Sequence, residues 1–219
     1  MRFIDFFFSL FLLIVLIPLL ILPIFFLFKI KGLKSIFFTQ KRVGKNFHFF
    51  KIYKISTMNK DSELSGTITV KNDTRVLPFG HFLRRTKINE LPQLINILKG
   101  EMSFVGPRPL TKEVFSLYNE ETQKIISTVK PGLTGIGSIF FSDEENFLAQ
   151  QSFSEQIHFY RDIIVPYKAS LEIWYVNNKS LYLNAKIMFV TFLLLFFNSK
   201  NMLYFFFKGL PQEPKLLKR

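Results

Sequence analysis

The sequence contains no cysteine, and only 16 acidic residues stand against 29 lysines and arginines, a net charge of +13. Without cysteine, disulfides, thiolate metal sites and a cysteine nucleophile are excluded. The excess of positive charge predicts anionic partners, which could be nucleic acid, acidic lipid headgroups or phosphate-bearing substrates.

Charge is also missing from residues 6–28, a run that is almost entirely apolar. About 20 apolar residues can cross a bilayer core, so the run predicts a retained membrane segment. It is too long for a cleaved signal peptide and has no small-residue cleavage site before the basic stretch. Pro18 and Pro23 interrupt it and predict a bend.

Acidic residues are absent again between Asp5 and Asp61, an interval with nine lysines and arginines. Because positive charge lies on both sides of the apolar run, two topologies stay open: a bent helix that re-enters the same face, and a kinked spanning helix. The basic stretch itself predicts attraction to anionic headgroups on the cytoplasmic leaflet. No recognised nucleic-acid motif is present, and we therefore expect no nucleic-acid partner.

The rest of the chain predicts a mostly helical α+β domain. Residues 35–40 and 47–55 are rich in β-formers around a turn-like stretch at 43–46, which predicts a short hairpin. The polar composition of residues 61–73 predicts a loop. Helices are expected around Leu91–Leu98, from Thr111 to before Pro131, and from Ser152 to Pro166. The apolar run at 187–197 predicts an interfacial or buried helix, since it is short for a span.

Two segments could bind phosphate. Arg84, Arg85 and Lys87 precede a helix that should begin near Glu90, and cations beside a helix N-terminus favour a phosphate group. A carboxylate there could hold a divalent metal, although it could equally serve only the helix dipole. Arg108 lies between two prolines, which suits a rigid bidentate phosphate contact or a solvated surface turn.

Together these segments resemble one family. The resemblance is carried by residues 38–44, 50–54, 89–93, 99–109 and 130–135, in matching order over nearly the whole chain. It is to the bacterial sugar transferases, the monotopic phosphoglycosyl transferases that begin glycan assembly, including exopolysaccharide and lipopolysaccharide O-antigen.

The resemblance implies an architecture. A re-entrant membrane helix-break-helix should occupy residues 1–31, with Pro18 as its bend proline, although Ile17 stands where the family usually has serine. A compact cytosolic catalytic domain with a short hairpin and interfacial amphipathic helices should occupy residues 32–219. The expected location is the cytoplasmic face of the bacterial inner membrane.

The resemblance also implies a reaction. A sugar 1-phosphate would pass from a UDP-sugar to undecaprenyl phosphate, with release of UMP and with Mg²⁺ as cofactor. Glu90 would help to bind the metal. Arg84, Arg85, Arg108, Lys54 and Lys99 are the expected phosphate or substrate ligands.

One position departs from the family pattern. The family's nucleophile is an aspartate that forms an acyl-phosphate, whereas this chain has Asn89. An amide is a poor nucleophile. Three alternatives stay open: direct attack by the lipid phosphate, attack by Glu90, and a non-catalytic protein that binds polyprenyl phosphate or a partner.

Overall fold

A computed structural model describes residues 2–31, 36–59, 73–142, 144–148, 153–194 and 201–217. Its longer helices are α1 (Arg2–Lys31), α2 (Pro78–Arg85), α5 (Glu120–Ser127), α9 (Val165–Asn178) and α10 (Leu181–Leu194). The shorter ones are α3 (Leu94–Lys99), α4 (Lys112–Phe115), α6 (Ile136–Phe140), α7 (Glu144–Leu148), α8 (Phe153–Phe159) and α11 (Asn201–Phe206). The strands are β1 (Phe37–Val43), β2 (Phe49–Ile55), β3 (Ser103–Val105) and β4 (Gly132–Thr134). The described part is thus mostly helical, as the sequence predicts.

Helix α1 is one continuous helix of 30 residues with Pro18 and Pro23 inside it. The expected helix-break-helix is therefore not seen as an interruption of the helix. A proline removes only one backbone donor, and the hydrogen bonds on either side of it can carry the helix through. Residues Phe3–Ile21 are long and apolar enough to cross a membrane, and almost none of this stretch is buried. The re-entrant topology stays a prediction.

Strands β1 and β2 form the predicted hairpin, antiparallel and in register from Phe37 opposite Ile55 to Val43 opposite Phe49. A 3₁₀ turn at Lys45–Phe47 connects them, with Asn46 at a positive φ of 52°. The predicted loop at 61–73 lies almost wholly outside the described residues.

The helix predicted around Leu91–Leu98 is divided into two parts. A 3₁₀ helix spans Ile88–Gln93 and contains Pro92, and α3 follows it directly. Gly100 ends α3 in the left-handed conformation (φ 80°), as expected of a helix-terminating glycine.

Two further helix predictions need correction. Thr111 does cap a helix, but α4 ends at Phe115 and α5 is separate. The helix predicted from Ser152 also does not end at Pro166. A π-helical turn at Tyr160–Ile164 leads into α9, where Pro166 occupies the first turn and its missing donor costs little.

The main core forms where α9, α10 and α6 pack behind β3. Helix α10 buries Leu183, Ile187 and Val190 in it and leaves Phe189 and Phe192 exposed. The middle of α1 packs on the same core through Leu12, Leu13 and Leu16. Further along α1, Leu27 is buried with Ile36, Ile55 and Leu83 in a second cluster.

Candidate functional site

The hairpin carries one cation of the candidate site. Ile52 and Lys54 lie two residues apart on β2 and so share a face of the strand. This strand packs on the 3₁₀ helix Ile88–Gln93. Lys54 Nζ lies 2.7 Å from Glu90 Oε1, in an ion pair whose two side chains are mostly buried.

The second cation comes from the loop after β3. Strands β3 and β4 run parallel, and Gly106 N–H donates to Thr134 O at 3.0 Å while Gly132 N–H donates to Pro107 O at 2.8 Å. A Cβ on Gly132 would lie 2.1 Å from Gly106 N, so only glycine permits this approach. From sequence alone, residues 130–135 would ordinarily be interpreted as a helix stop and a loop. In the structure their hydrogen bonds fix the position of the loop that carries Arg108.

Arg108 reaches Glu90 from the other side. Its Nη2 lies 3.5 Å from Glu90 Oε1, and its side chain is 43% exposed against 14% for Glu90. Lys54, Glu90 and Arg108 therefore meet in one cleft. The cleft is lined by Arg42, Ile52, Lys54, Glu90, Gln93, Arg108, Pro109, Gly132 and Leu133.

The charges in this cleft are strongly coupled. Burial alone would raise the pKa of Glu90, but the charges of Lys54, Arg108 and Lys87 outweigh it and hold that pKa well below its usual range. Burial lowers the pKa of Lys54 to about 8, and the Glu90 charge only partly offsets this. The Glu90 charge in turn raises the pKa of Arg108. At neutral pH the Glu90 carboxylate lies between Lys54 and Arg108, and Arg42 also lines the cleft, so the site is net positive and suited to an anion.

The other predicted ligands lie elsewhere. Arg84 Nε donates to Thr57 Oγ1 at 2.9 Å, and Arg85 is exposed on α2. Lys99 is exposed and its Nζ donates to the Tyr53 hydroxyl at 2.7 Å. None of these three lines the cleft. Pro18, the expected bend residue, is exposed within α1.

Asn89 is next to Glu90 in sequence but faces another way. In a 3₁₀ helix, side chains three residues apart lie on the same side. Glu90 and Gln93 both line the cleft, whereas Asn89 and Pro92 do not. Asn89 Oδ1 has no hydrogen-bond partner among the described residues.

Two polar side chains of the cleft, those of Arg42 and Gln93, were not among the predicted site residues, although both lie in the segments that carry the family resemblance. Arg42 Nη1 donates to Pro109 O at 3.2 Å, and so supports the Arg108 loop. The spacing of Gln93, three residues after Glu90, could have indicated that the two side chains lie on the same side of a helical turn.

Behind the cleft, α9 supports the same loop. Arg108 N–H donates to Glu172 Oε1 at 3.4 Å, and the Tyr175 hydroxyl donates to Val105 O at 3.1 Å. Burial raises the pKa of Glu172 to about 7. Lys168 Nζ forms a further ion pair with Glu144, at 2.6 Å.

A Mg²⁺ ion would find one carboxylate here. Among the described residues, no three or more histidine, aspartate and glutamate side chains cluster as a metal site. Magnesium is often held by one or two carboxylates together with substrate phosphates, a pattern that Glu90 alone can satisfy. The residues therefore fit a metal that arrives with a diphosphate.

Comparison with known proteins matches residues 1–198 to the family described as "Bacterial sugar transferase". The "Uncharacterized sugar transferase EpsL" of Bacillus subtilis is 35% identical over 156 residues, which are 71% of this chain and 67% of that protein. The "Galactosyl transferase CpsE" of Streptococcus agalactiae is 34% identical over 166 residues, 70% of this chain but 33% of that protein.

Two relatives have names that state an acceptor. A Bacillus subtilis "Putative undecaprenyl-phosphate N-acetylgalactosaminyl 1-phosphate transferase" is 55% identical over 73 residues, 33% of this chain and 41% of that protein. The "Undecaprenyl-phosphate galactose phosphotransferase" of Salmonella typhimurium is 29% identical over 168 residues, 69% of this chain and 31% of that protein. Apart from EpsL, the chain spans less than half the length of these relatives.

Proposed function

Because this chain belongs to the bacterial sugar transferase family, we propose that it transfers a sugar 1-phosphate from a UDP-sugar to undecaprenyl phosphate and releases UMP. The observation that carries the proposal is the meeting of Lys54, Glu90 and Arg108 in one cleft. Undecaprenyl phosphate is the acceptor in the names of two relatives, which supports the same acceptor here. Other relatives are named for exopolysaccharide production, which supports a role at the start of glycan assembly.

In this proposal the two cations bind the diphosphate of the nucleotide-sugar. The guanidinium of Arg108 offers a planar fork of donors to phosphate oxygens, and Lys54 offers a compact positive charge. Glu90 would hold Mg²⁺, which when bound neutralises phosphate charge and polarises the phosphoryl oxygens. Because Lys54 contacts Glu90 at 2.7 Å, a diphosphate in the cleft gives Lys54 a second anionic partner.

We favour direct attack as the mechanism. An oxygen of the lipid phosphate forms a bond to the phosphorus that bears the sugar, and the bond from that phosphorus to the bridging oxygen breaks. UMP leaves with the bridging oxygen and its electron pair. Positioning and electrostatics carry most of a phosphoryl transfer, so no protein nucleophile is required. Asn89 supports this mechanism, since it carries no carboxylate and does not line the cleft.

A non-catalytic binding protein is the second candidate. Asn89 favours it as well, because an amide stands where the family resemblance implies a nucleophile. Such a protein would still bind polyprenyl phosphate or a partner through the positive cleft.

A re-entrant topology on the cytoplasmic face belongs to the same proposal. A straight 30-residue helix is about 45 Å long, so a perpendicular span would carry its first turn away from the domain. Yet Asp5, near the start of α1, bonds to Ser103, and Leu27, near its end, is buried against Ile55 and Leu83. Contacts at both ends of α1 with the same domain favour entry and exit on one face.

Cysteine labelling tests this topology. Single cysteines at residues 2 and 34 would be treated with a membrane-impermeant reagent on intact cells. The re-entrant arrangement predicts no periplasmic reaction at either site. Reaction at residue 2 alone would instead establish a spanning helix.

The reaction is tested by UMP release from a panel of UDP-sugars, with the full chain in membranes supplied with undecaprenyl phosphate. Native protein should release UMP with at least one sugar, and Glu90→Gln should abolish release. Glu121→Gln, at an exposed carboxylate on α5, is the matched control and should retain activity.

Asn89→Asp separates the candidates. Each protein is mixed with labelled UDP-sugar without lipid acceptor, and protein-bound label is measured. Direct attack predicts turnover but no covalent label in native protein. We expect Asn89→Asp, whose new carboxylate must turn toward the cleft to attack, to gain label. Label at Glu90 in native protein would contradict direct attack. Turnover only after Asn89→Asp would establish the binding protein.

A further inference from the structure

Gln93 has a buried amide that the protein itself does not satisfy. The residue closes the 3₁₀ helix Ile88–Gln93 and is 2% exposed. Its Nε2 has no hydrogen-bond partner among the described residues. A buried donor without a partner normally costs about 1–3 kcal/mol, so such groups are usually completed by another molecule.

The position of this amide in the cleft indicates which kind of group accepts its hydrogen bond. Gln93 lies one 3₁₀ turn after Glu90 and lines the same cleft as Lys54 and Arg108. Both of those cations face the Glu90 carboxylate. The cleft thus contains a buried neutral donor beside a net positive site, a combination that fits a phosphate oxygen.

The carboxamide suits this role for two reasons. It carries two N–H donors and can turn by half a rotation, so either orientation can present the NH₂ group to the cleft. A neutral donor that is already fixed by burial stabilises developing negative charge without reorganisation, as in an oxyanion hole.

The backbone around Gln93 is held in place. Pro92 precedes it and fixes the local φ, and Leu94 after it is buried in the main core. Asn96, fully buried, bonds to the backbone of both Lys51 and Tyr53 on β2, which carries Lys54. The amide is therefore set at a constant position relative to Lys54.

We propose that the Gln93 carboxamide donates a hydrogen bond to a phosphate oxygen of the bound substrate, as a neutral partner to Lys54 and Arg108. The proposal rests on the proposed function, because it takes the cleft to bind phosphate. The phosphate could belong to the UDP-sugar or to the lipid, and kinetics with each substrate varied separately distinguish the two.

The test compares Gln93→Met, which keeps the side-chain size but has no donor, with Gln93→Glu, which adds a like charge to that of phosphate. The matched control is Gln212→Met, at an exposed glutamine near the C-terminus. We expect Gln93→Met to lower kcat/KM at least about tenfold, the scale of one lost donor to a charged group, and Gln93→Glu to lower it further. A raised KM for only one substrate assigns the phosphate to that substrate.

Thermal unfolding separates binding from structure. Without substrate, Gln93→Met should melt at or above the native temperature, because it removes an unsatisfied buried polar group. A lower melting temperature together with lost activity would make Gln93 a structural residue and overturn the proposal. Unchanged kinetics in active native protein would overturn it too, while leaving the transferase function intact.

If native protein releases no UMP with any sugar, the proposed function fails and binding decides the role of Gln93. The melting temperature of each protein would then be measured with added UDP and with inorganic pyrophosphate. A smaller stabilisation in Gln93→Met than in native protein supports the phosphate contact. Equal stabilisation of the two proteins by both ligands overturns it.

Discussion

The Ser103 hydroxyl donates a hydrogen bond of 2.8 Å to Asp5 Oδ2, although 98 positions separate the two residues in sequence. Asp5 lies in the first turn of the apolar helix α1, and Ser103 begins β3. Phe8 and Phe104 pack beside this bond with ring centroids 5.0 Å apart. The start of α1 is thereby tied to the strand that leads to Arg108.

We expect Asp5→Leu to lower the stability of the protein by about 1–2 kcal/mol, since it leaves Ser103 without this partner. For a chain of this length, that is a fall of a few degrees in melting temperature, measured in nanodiscs. Ser103→Ala should cost less, and the double variant should cost less than the sum of the two. Strict additivity would show that the two residues do not interact in the membrane.

Arg108→Lys should lower turnover at least about tenfold with membrane insertion unchanged, because a lysine keeps the charge but lacks the planar fork that binds two phosphate oxygens. The measurement is UMP release at saturating UDP-sugar. Arg161→Lys, at an exposed arginine, is the control. If Arg108→Lys kept native activity, Arg108 would be only a surface turn residue.

Asn96 should be among the most sensitive positions for stability. Its Nδ2 donates to Lys51 O and Glu101 Oε2, both at 2.7 Å, and its Oδ1 accepts from Tyr53 N–H at 3.1 Å. Asn96→Leu leaves these groups unpaired, and we expect a loss of about 3 kcal/mol or more. Thermal unfolding checks this against Asn177→Leu, at an exposed asparagine on α9, which should change little.

Glu172 should make stability depend on pH. Burial raises its pKa from 4.5 to about 7, and Lys168 and Arg108 only partly oppose the shift. As pH rises, the Glu172 carboxyl therefore loses its proton at a lower pH in the unfolded chain than in the folded protein. The free energy of unfolding falls as pH rises from about 4.5 to about 7, and the full loss of about 3 kcal/mol is reached above pH 7. Below the window the carboxyl is protonated in both states and contributes nothing.

Glu172→Gln removes this titration. Its melting temperature relative to native protein should therefore rise between about pH 5 and pH 8, and the two should lie closest at the acidic end. A constant difference across that range would show that Glu172 titrates normally in the folded protein.

Several features were determined by the sequence itself, because they depend on local order. The length of the apolar run set helix α1, and enrichment in β-formers on either side of a turn set the hairpin. Gly100 ended α3 and Thr111 capped α4 for reasons confined to a few residues. The order of the family segments was enough to place Glu90 and Arg108 among the candidate site residues.

Tertiary structure decided what local patterns could not. Lys54, Glu90 and Arg108 come from a strand, a 3₁₀ helix and a loop, and only the packing of β2 on that helix and the close glycine approach of β4 to β3 bring them together. The helical periodicity of the sequence did not predict the 3₁₀ helix. It therefore did not show that Glu90 and Gln93 line the cleft while Asn89 does not. The burial of Asn96, Gln93 and Glu172 likewise arises from long-range contacts, and burial is what makes an ordinary amide or carboxylate significant.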